Sequence, residues 1–183
     1  MRTYKIEGIV LKRRNLGEAD RILTVLSRES GKIFIKAPGV RRIPSRRSSH
    51  VELLNLSQLT LYKSSRSFMP LVTEAQTLED FSLIKSSLRK IGCAFYICEL
   101  INGLCPENQE NKSVFFHLKS TLLALNETSN AFDLVKKFEK DLLKELGFWS
   151  EAKLLKTQDS RTVMERLLER KLKTIRVMPL FAV

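Results

Sequence analysis

Long apolar runs are missing from this chain. None of its 183 residues sit in a stretch approaching the ~20 apolar residues that a membrane-spanning helix needs. The opening residues, MRTYKIEGIVLKRR, alternate and carry charge where a secretory signal would hold an apolar block, so a cytoplasmic protein is expected. Cysteine is scarce: Cys93, Cys98 and Cys105 form no CxxC pair, and the histidines are His50 and His117. A structural zinc site draws on about four close Cys/His ligands. Buried free thiols in a reducing compartment, with no metal and no cofactor, are the expectation. Clustered carboxylates for magnesium are also missing. Glu18, Asp20 and Glu29 have no metal-ligand spacing, and His50 beside Ser48-Ser49 has no evident third partner. Catalysis is therefore not expected. No Gly/Ser linker, internal repeat or low-complexity segment breaks the chain.

What is there begins with a stretch that lacks acid altogether. Gly31 to Arg47, GKIFIKAPGVRRIPSRR, holds six basic residues and no Asp or Glu. In a strand, successive side chains point to opposite faces. Lys32, Phe34 and Lys36 would then share one face, and Ile33, Ile35 and Ala37 the other. Pro38-Gly39 signals a turn, and two Arg pairs follow around Pro44-Ser45. A basic strand face feeding a basic loop suits a polyanion backbone, with Phe34 as a base-stacking surface. The simpler alternative is a solvated basic loop, with Phe34 in a core.

Net charge is +12 and uneven: +7 over residues 1–80, +1 over 81–150 and +4 over 151–183. That asymmetry points to an acidic polymer. An anionic membrane would call for a basic amphipathic helix, whereas the cluster here lies in a strand and loop.

Periodicity reads five strands in the first 79 residues: Thr3 to Asn15, Arg21 to Ser27, the Gly31 to Ala37 stretch, Val51 to Tyr62, and Phe68 to Leu78. Arg28 to Gly31 closes a hairpin, and Pro70 suits an edge. Five short strands with a basic face match an OB-fold, with an SH3-like barrel reading much the same. At Asp80 the period changes to that of a helix. Ile84, Leu88, Ile91, Phe95, Cys98 and Ile101 make one apolar face of a helix ending near Gly103. Further helices are expected over Asn111 to Asn126, Ala131 to Leu146 with Gly147 as C-cap, and about Arg161 to Ile175. The last carries a Thr162/Glu165 capping box, and Arg170, Lys171 and Lys173 would suit its dipole. Phe148-Trp149 is expected in the helical core. The fold class is thus α+β, an OB-type barrel over residues 1–79 packed with a helical domain over 80–183.

Several motifs resemble the bacterial RecO recombination mediator family. They are Gly8-Ile9-Val10-Leu11, Gly17-Glu18-Ala19-Asp20-Arg21, Leu23-Thr24, Gly31-Lys32, and Gly39-Val40-Arg41-Arg42 with Ser45-Arg46. Pro106-Glu107, the Glu139 to Gly147 helix end, and Glu169-Arg170-Lys171-Leu172-Lys173 also look like that family. The resemblance implies an OB-fold followed by helices, binding of single- and double-stranded DNA, and annealing of complementary strands. It implies partnership with RecR, and in many bacteria RecF, to load RecA onto strands coated by single-strand-binding protein, whose acidic tail docks on the helical domain. It implies a nucleoid-associated, non-enzymatic protein.

Two departures accompany the resemblance. Many relatives carry a Cys-rich zinc segment after the Leu-Gly-aromatic helix end, and between Phe148-Trp149 and Thr157-Gln158 this chain has no Cys. A helical domain shorter than the family's is expected, and no residues are assigned to tail docking. Pro38 stands where a basic residue often precedes the glycine, with Lys36 upstream. The expected DNA contacts are Lys32, Lys36, Arg41, Arg42, Arg46 and Arg47, extended by Arg13 and Arg14. About six neutralised phosphates would give a single-strand salt slope near −4. Arg21 is read as structural or partner-facing. The rival readings are an OB-type RNA-binding module, and a scaffold whose basic loop meets an acidic protein.

Overall fold

The computed structural model describes residues 2–148 and 159–174. Its first 80 residues build five strands: β1 (Arg2–Leu16), β2 (Asp20–Ser27), β3 (Gly31–Ala37), β4 (Leu56–Lys63) and β5 (Leu71–Glu79). They close in the order β1-β2-β3-β5-β4, with β4 returning to β1. This is the Greek-key order of an OB-type barrel. β1 serves both of its neighbours because it bends. Residues 2–9 pair with β4, residues 8–16 pair with β2, and an irregularity lies between Val10 and Lys12. An extra residue there kinks the strand and turns it around the barrel corner.

Alternation sorts the side chains as expected. Ile6, Val10, Leu23, Val25, Ile33, Ile35, Leu59, Leu61 and Val72 meet in the barrel core. The Val51 to Tyr62 stretch is not one strand. Ser49–Val51 forms a 3-10 turn, Leu54 takes a left-handed φ of 69°, and β4 starts only at Leu56. The turn is pinned by the Asn55 side-chain amide donating to Ser49 O, by the Leu54 N–H donating to Val10 O and by the Val10 N–H donating to Asn55 O. This buries Val51 and Leu54, so the alternation there marks a plug rather than a longer strand. The fifth strand is likewise shorter than its apolar pattern, because Phe68, Met69 and Pro70 lie in the β4–β5 loop.

Two compact units result. Among the described residues, the first holds 2–80 with 106–115, and the second holds 81–105 with 116–148 and 159–174. In the first, segment 106–110 lies along β3. The Asn108 N–H donates to Lys32 O at 2.8 Å, and Lys32 bridges to Glu107. Gly31 makes this approach possible. It has φ +65°, and a β-carbon there would sit 1.8 Å from Gln109 O.

The helices are α1 (Ser82–Lys85), α2 (Leu88–Leu104), α3 (Lys112–Glu127), α4 (Ala131–Glu145) and α5 (Ser160–Leu167). The single helix expected from Asp80 is broken, because Ser87 is extended and caps α2, its side chain accepting from Lys90 N. Of the expected apolar face, Ile84, Cys98 and Ile101 are buried, Ile91 and Phe95 are half-buried and Leu88 is exposed, while Cys93, Ala94, Tyr96, Ile97 and Leu100 are buried beside them. Apolar residues run almost all round α2, so spacing alone admitted more than one face. The cysteines are buried free thiols, and burial pushes Cys98 up to about 12. In α3 and α4, Val114, Phe115, Leu118, Leu122, Leu125, Val135, Phe138 and Leu142 are buried as expected.

The last helix is half the expected length. Asp159 rather than Thr162 is its N-cap, and the chain leaves at Leu168 with Glu169 at positive φ. Glu165 is spent elsewhere, accepting from Leu172 N. Arg170 consequently leaves the helix dipole for an ion pair with Glu99. Phe148 is 46% exposed instead of buried. Trp149 and Ile175, to which expectations also attached, lie outside the described residues.

Candidate nucleic-acid interface

Register builds the interface. On the face of β1–β2–β3 turned away from the core, Lys12 aligns with Thr24 and Thr24 with Phe34. One step along, Arg14 aligns with Ile22 and Ile22 with Lys36. Directly opposed residues on one face of a sheet are close neighbours. Two parallel rows therefore run cation, small or apolar residue, then aromatic or cation. A cleft of about 670 Å³ is lined by Lys12, Arg14, Thr24 and Phe34 of these strands, by Lys63 at the end of β4, by Phe68 and Met69 of the β4–β5 loop, and by Glu107 and Asn108.

The basic loop after β3 is clamped to the barrel. Asp20 accepts from the Gly39 N–H at 2.8 Å and pairs with Lys36 at 2.8 Å. The Lys36 ammonium and that backbone donor hold the Asp20 carboxyl below its usual range. Gly39 meets this turn at φ +67°, a conformation that suits glycine. Arg41 ties its backbone to Ala19 O and its guanidinium to Gly17 O. The Arg47 guanidinium donates to Val72 O at 2.5 Å and Pro38 O at 2.8 Å, joining the two ends of the loop to β5.

The eight expected contacts therefore fall into three sets. Lys32 is 6% exposed beneath segment 106–110, so the basic-aromatic-basic face loses its first member. Arg47, Lys36 and Arg13 are committed to internal partners. Arg13 shares Glu52 with Arg21, whose guanidinium sits 2.8 Å from the second carboxylate oxygen. Burial, then the charges of Arg13 and Arg41, lower the pKa of Arg21. Arg14, Arg41, Arg42 and Arg46 are exposed. Among the described residues, no ion pair or side-chain hydrogen bond holds Arg14 or Arg46; Arg42 is tied by its backbone to Gly39 and Ser45, and its guanidinium charge is felt by Asp20.

Two residues escaped the sequence reading. Lys12 stands with Phe34 in one row, which only the β1 irregularity makes visible. Phe68, read as the start of a strand, is 96% exposed at the cleft. At the tip of the basic loop, Ile43 is fully exposed between arginines. His50 is structural: its Nδ1 accepts from Thr77 N at 3.2 Å. Among the described residues no helix is long and apolar enough to cross a membrane, and no His/Cys/Asp/Glu group is placed to hold a metal.

A Greek-key OB-type barrel with a cationic, aromatic-lined cleft defines a class, that of the OB-fold proteins, whose members commonly bind oligonucleotides or oligosaccharides. Comparison with known proteins narrows it. The family model for the Recombination protein O N terminal matches residues 1–81, and that for the Recombination protein O C terminal matches residues 85–150. This chain belongs to the RecO family. A protein named DNA repair protein RecO from Roseiflexus sp. (strain RS-1) is 36% identical over 80% of this chain and 51% of its own length. Its namesake from Dehalococcoides mccartyi (strain ATCC BAA-2266 / KCTC 15142 / 195) is 37% identical over 79% of this chain and 56% of its own length. That of Pelotomaculum thermopropionicum is 36% identical over 81% and 57%. The chain thus spans a little over half the length of the curated relatives it matches.

Proposed function

We propose that the chain serves DNA repair and homologous recombination as a mediator. Its barrel binds single- and double-stranded DNA through phosphate contacts and promotes annealing of complementary strands. With RecR, and RecF where present, it assists loading of RecA onto strands coated with single-strand-binding protein, whose acidic tail is a further partner. It acts without bond-making chemistry or a cofactor. The observation that carries the reading is the pair of cross-strand rows, Lys12–Thr24–Phe34 and Arg14–Ile22–Lys36, on one barrel face beside the loop bearing Arg41, Arg42 and Arg46.

Chemistry supports this assignment. Annealing requires affinity with little sequence preference, and phosphate contacts supply it because each nucleotide offers the same charge. Arginine adds a planar face that stacks on bases, which lysine does poorly. The test is annealing of complementary oligonucleotides, bare or coated with single-strand-binding protein, by the wild type and by a variant with Arg14, Arg42 and Arg46 changed to Gln. Acceleration by the wild type on both substrates, lost in the variant, is the expected result. Annealing of bare strands alone would keep the DNA site and remove the coated-strand role. A preference for folded RNA, with no annealing, would replace the mediator reading by an RNA-binding module.

A further inference from the structure

The β4–β5 loop spends hydrogen bonds to hold an aromatic ring in water. The Lys63 ammonium donates to Phe68 O at 2.5 Å, the Ser67 hydroxyl donates to Met69 O at 2.6 Å, and the Ser67 N–H donates to Ser64 O. The loop is therefore fastened at both sides of Phe68, whose side chain stays almost wholly exposed. A large apolar group presented this way is a docking element more often than a packing one. It faces a cleft whose volume, about 670 Å³, lies within the ~300–1,000 Å³ range of small-ligand sites.

We infer that Phe68, which lines this cleft together with Phe34, receives an unstacked nucleobase of a single DNA strand while Arg14 and Lys12 hold the adjoining phosphates. This rests on the barrel being the DNA-binding face, and it adds which part of the polymer enters and which residue selects it. Charge identifies the occupant. Besides Arg13, which pairs with Glu52, three cations line this cleft, Lys12, Arg14 and Lys63, against the single carboxylate of Glu107, so an apolar peptide segment would leave a net positive charge uncompensated. A nucleotide brings a flat π-surface for the ring and an anion for the cations in one unit. Any base offers such a surface, so the contact costs no sequence preference. In a duplex the bases are already stacked and their faces closed, so Phe68 adds nothing there. The loop thus favours single strands over paired ones, and it releases them when a complement arrives.

The experiment compares wild type with Phe68→Ala on three probes at one salt concentration: a single strand carrying a fluorescent adenine analogue, an abasic strand of equal length, and a duplex. Wild type is expected to bind the base-bearing strand about tenfold more tightly than the abasic one, with a change in the analogue's fluorescence. Phe68→Ala should bring the base-bearing strand down to the abasic level, leave the abasic and duplex affinities and the salt slope unchanged, and unfold at the wild-type temperature. Arg14→Gln should weaken all three probes. Equal wild-type affinity for base-bearing and abasic strands, or a Phe68→Ala loss shared by both, overturns the base-capture inference and leaves the phosphate reading standing. Absence of salt-dependent wild-type binding to any probe overturns both.

Discussion

Salt dependence measures how many cations the fold leaves available. Each phosphate neutralised on a single strand adds about −0.7 to the slope of log K against log[salt]. If all eight basic residues picked out by pattern touched phosphate, the slope would be about −5.6. The structure withdraws four of them. Lys32 lies under segment 106–110, Lys36 pairs with Asp20, Arg13 with Glu52, and Arg47 fastens the loop ends. Lys12 joins Arg14, Arg41, Arg42 and Arg46 among the exposed cations. Five such groups give a slope of about −3.5, and four give about −3 should Arg41 remain on Gly17 O.

Fluorescence anisotropy of a labelled oligonucleotide between about 50 and 200 mM salt covers the range in which that slope is read. Arg14→Gln and Arg46→Gln should each reduce its magnitude by about 0.7, and Lys32→Gln should leave it where it is. A slope near zero would refute the electrostatic mechanism. A slope of about −5.6 would refute the partition, because it would require the Asp20–Lys36 and Glu52–Arg13 pairs to open on binding.

Three further outcomes follow from the packing. Arg47→Ala should destabilise the barrel by about 1.5–3 kcal/mol, the worth of charged hydrogen bonds to buried carbonyls, read as a lower urea midpoint; a change below about 0.5 kcal/mol would contradict the clamp. Gly31→Ala should lower the melting temperature, since a β-carbon collides with Gln109 O on a left-handed backbone; an unchanged temperature would mean that segment 106–110 does not lie on β3. Burial would raise the Glu99 carboxyl, but Arg170 and the Lys173 and Thr174 donors outweigh it and hold it at about 2. A depressed acid stabilises the fold above its unfolded value and loses that contribution as pH falls through its folded one. Wild type should therefore lose thermal stability between about pH 4.5 and pH 2 more steeply than Glu99→Gln, and equal pH profiles would refute the assignment.

Strand alternation made the barrel legible, because a core on one side and solvent on the other leave a period of two in the sequence. Ile33, Ile35 and Ala37 went to the core as that rule requires. The rule says nothing about what later chain covers the other side, and so Lys32 looked exposed until residues 106–110 were placed over it. Charge was legible as a cluster but not as a set of free groups. Arg47 and Arg46 are adjacent and chemically identical in sequence, yet one closes the loop through two carbonyls and the other reaches water. That difference depends on where Val72 and Pro38 arrive in space. In α2 the failure was of another kind: an apolar composition nearly all round the helix removes the contrast on which a face is read.

The partition of cations also bears on how a strand can be held without being trapped. A protein that anneals must let go once a duplex forms, so contacts that depend on the unpaired state serve it better than added charge. Phosphate contacts persist in the duplex, and a face with all eight cations free would hold product about as firmly as substrate. Committing half of them to internal positions, with Lys36 and Arg47 fastening the loop, would lower that common affinity. It also leaves Arg42 and Arg46 on a fixed platform, with Arg47 and Asp20 as its anchors. Under the base-capture inference, the aromatic residues of the cleft would supply the part of the affinity that pairing abolishes. Loosening the platform should therefore affect annealing differently from removing the ring. Arg47→Ala should slow strand capture through a mobile loop, whereas Phe68→Ala should narrow the difference between single-strand and duplex affinity with the loop intact. Stopped-flow annealing beside equilibrium binding separates the two, and identical kinetic and equilibrium signatures for both variants would refute the division of labour.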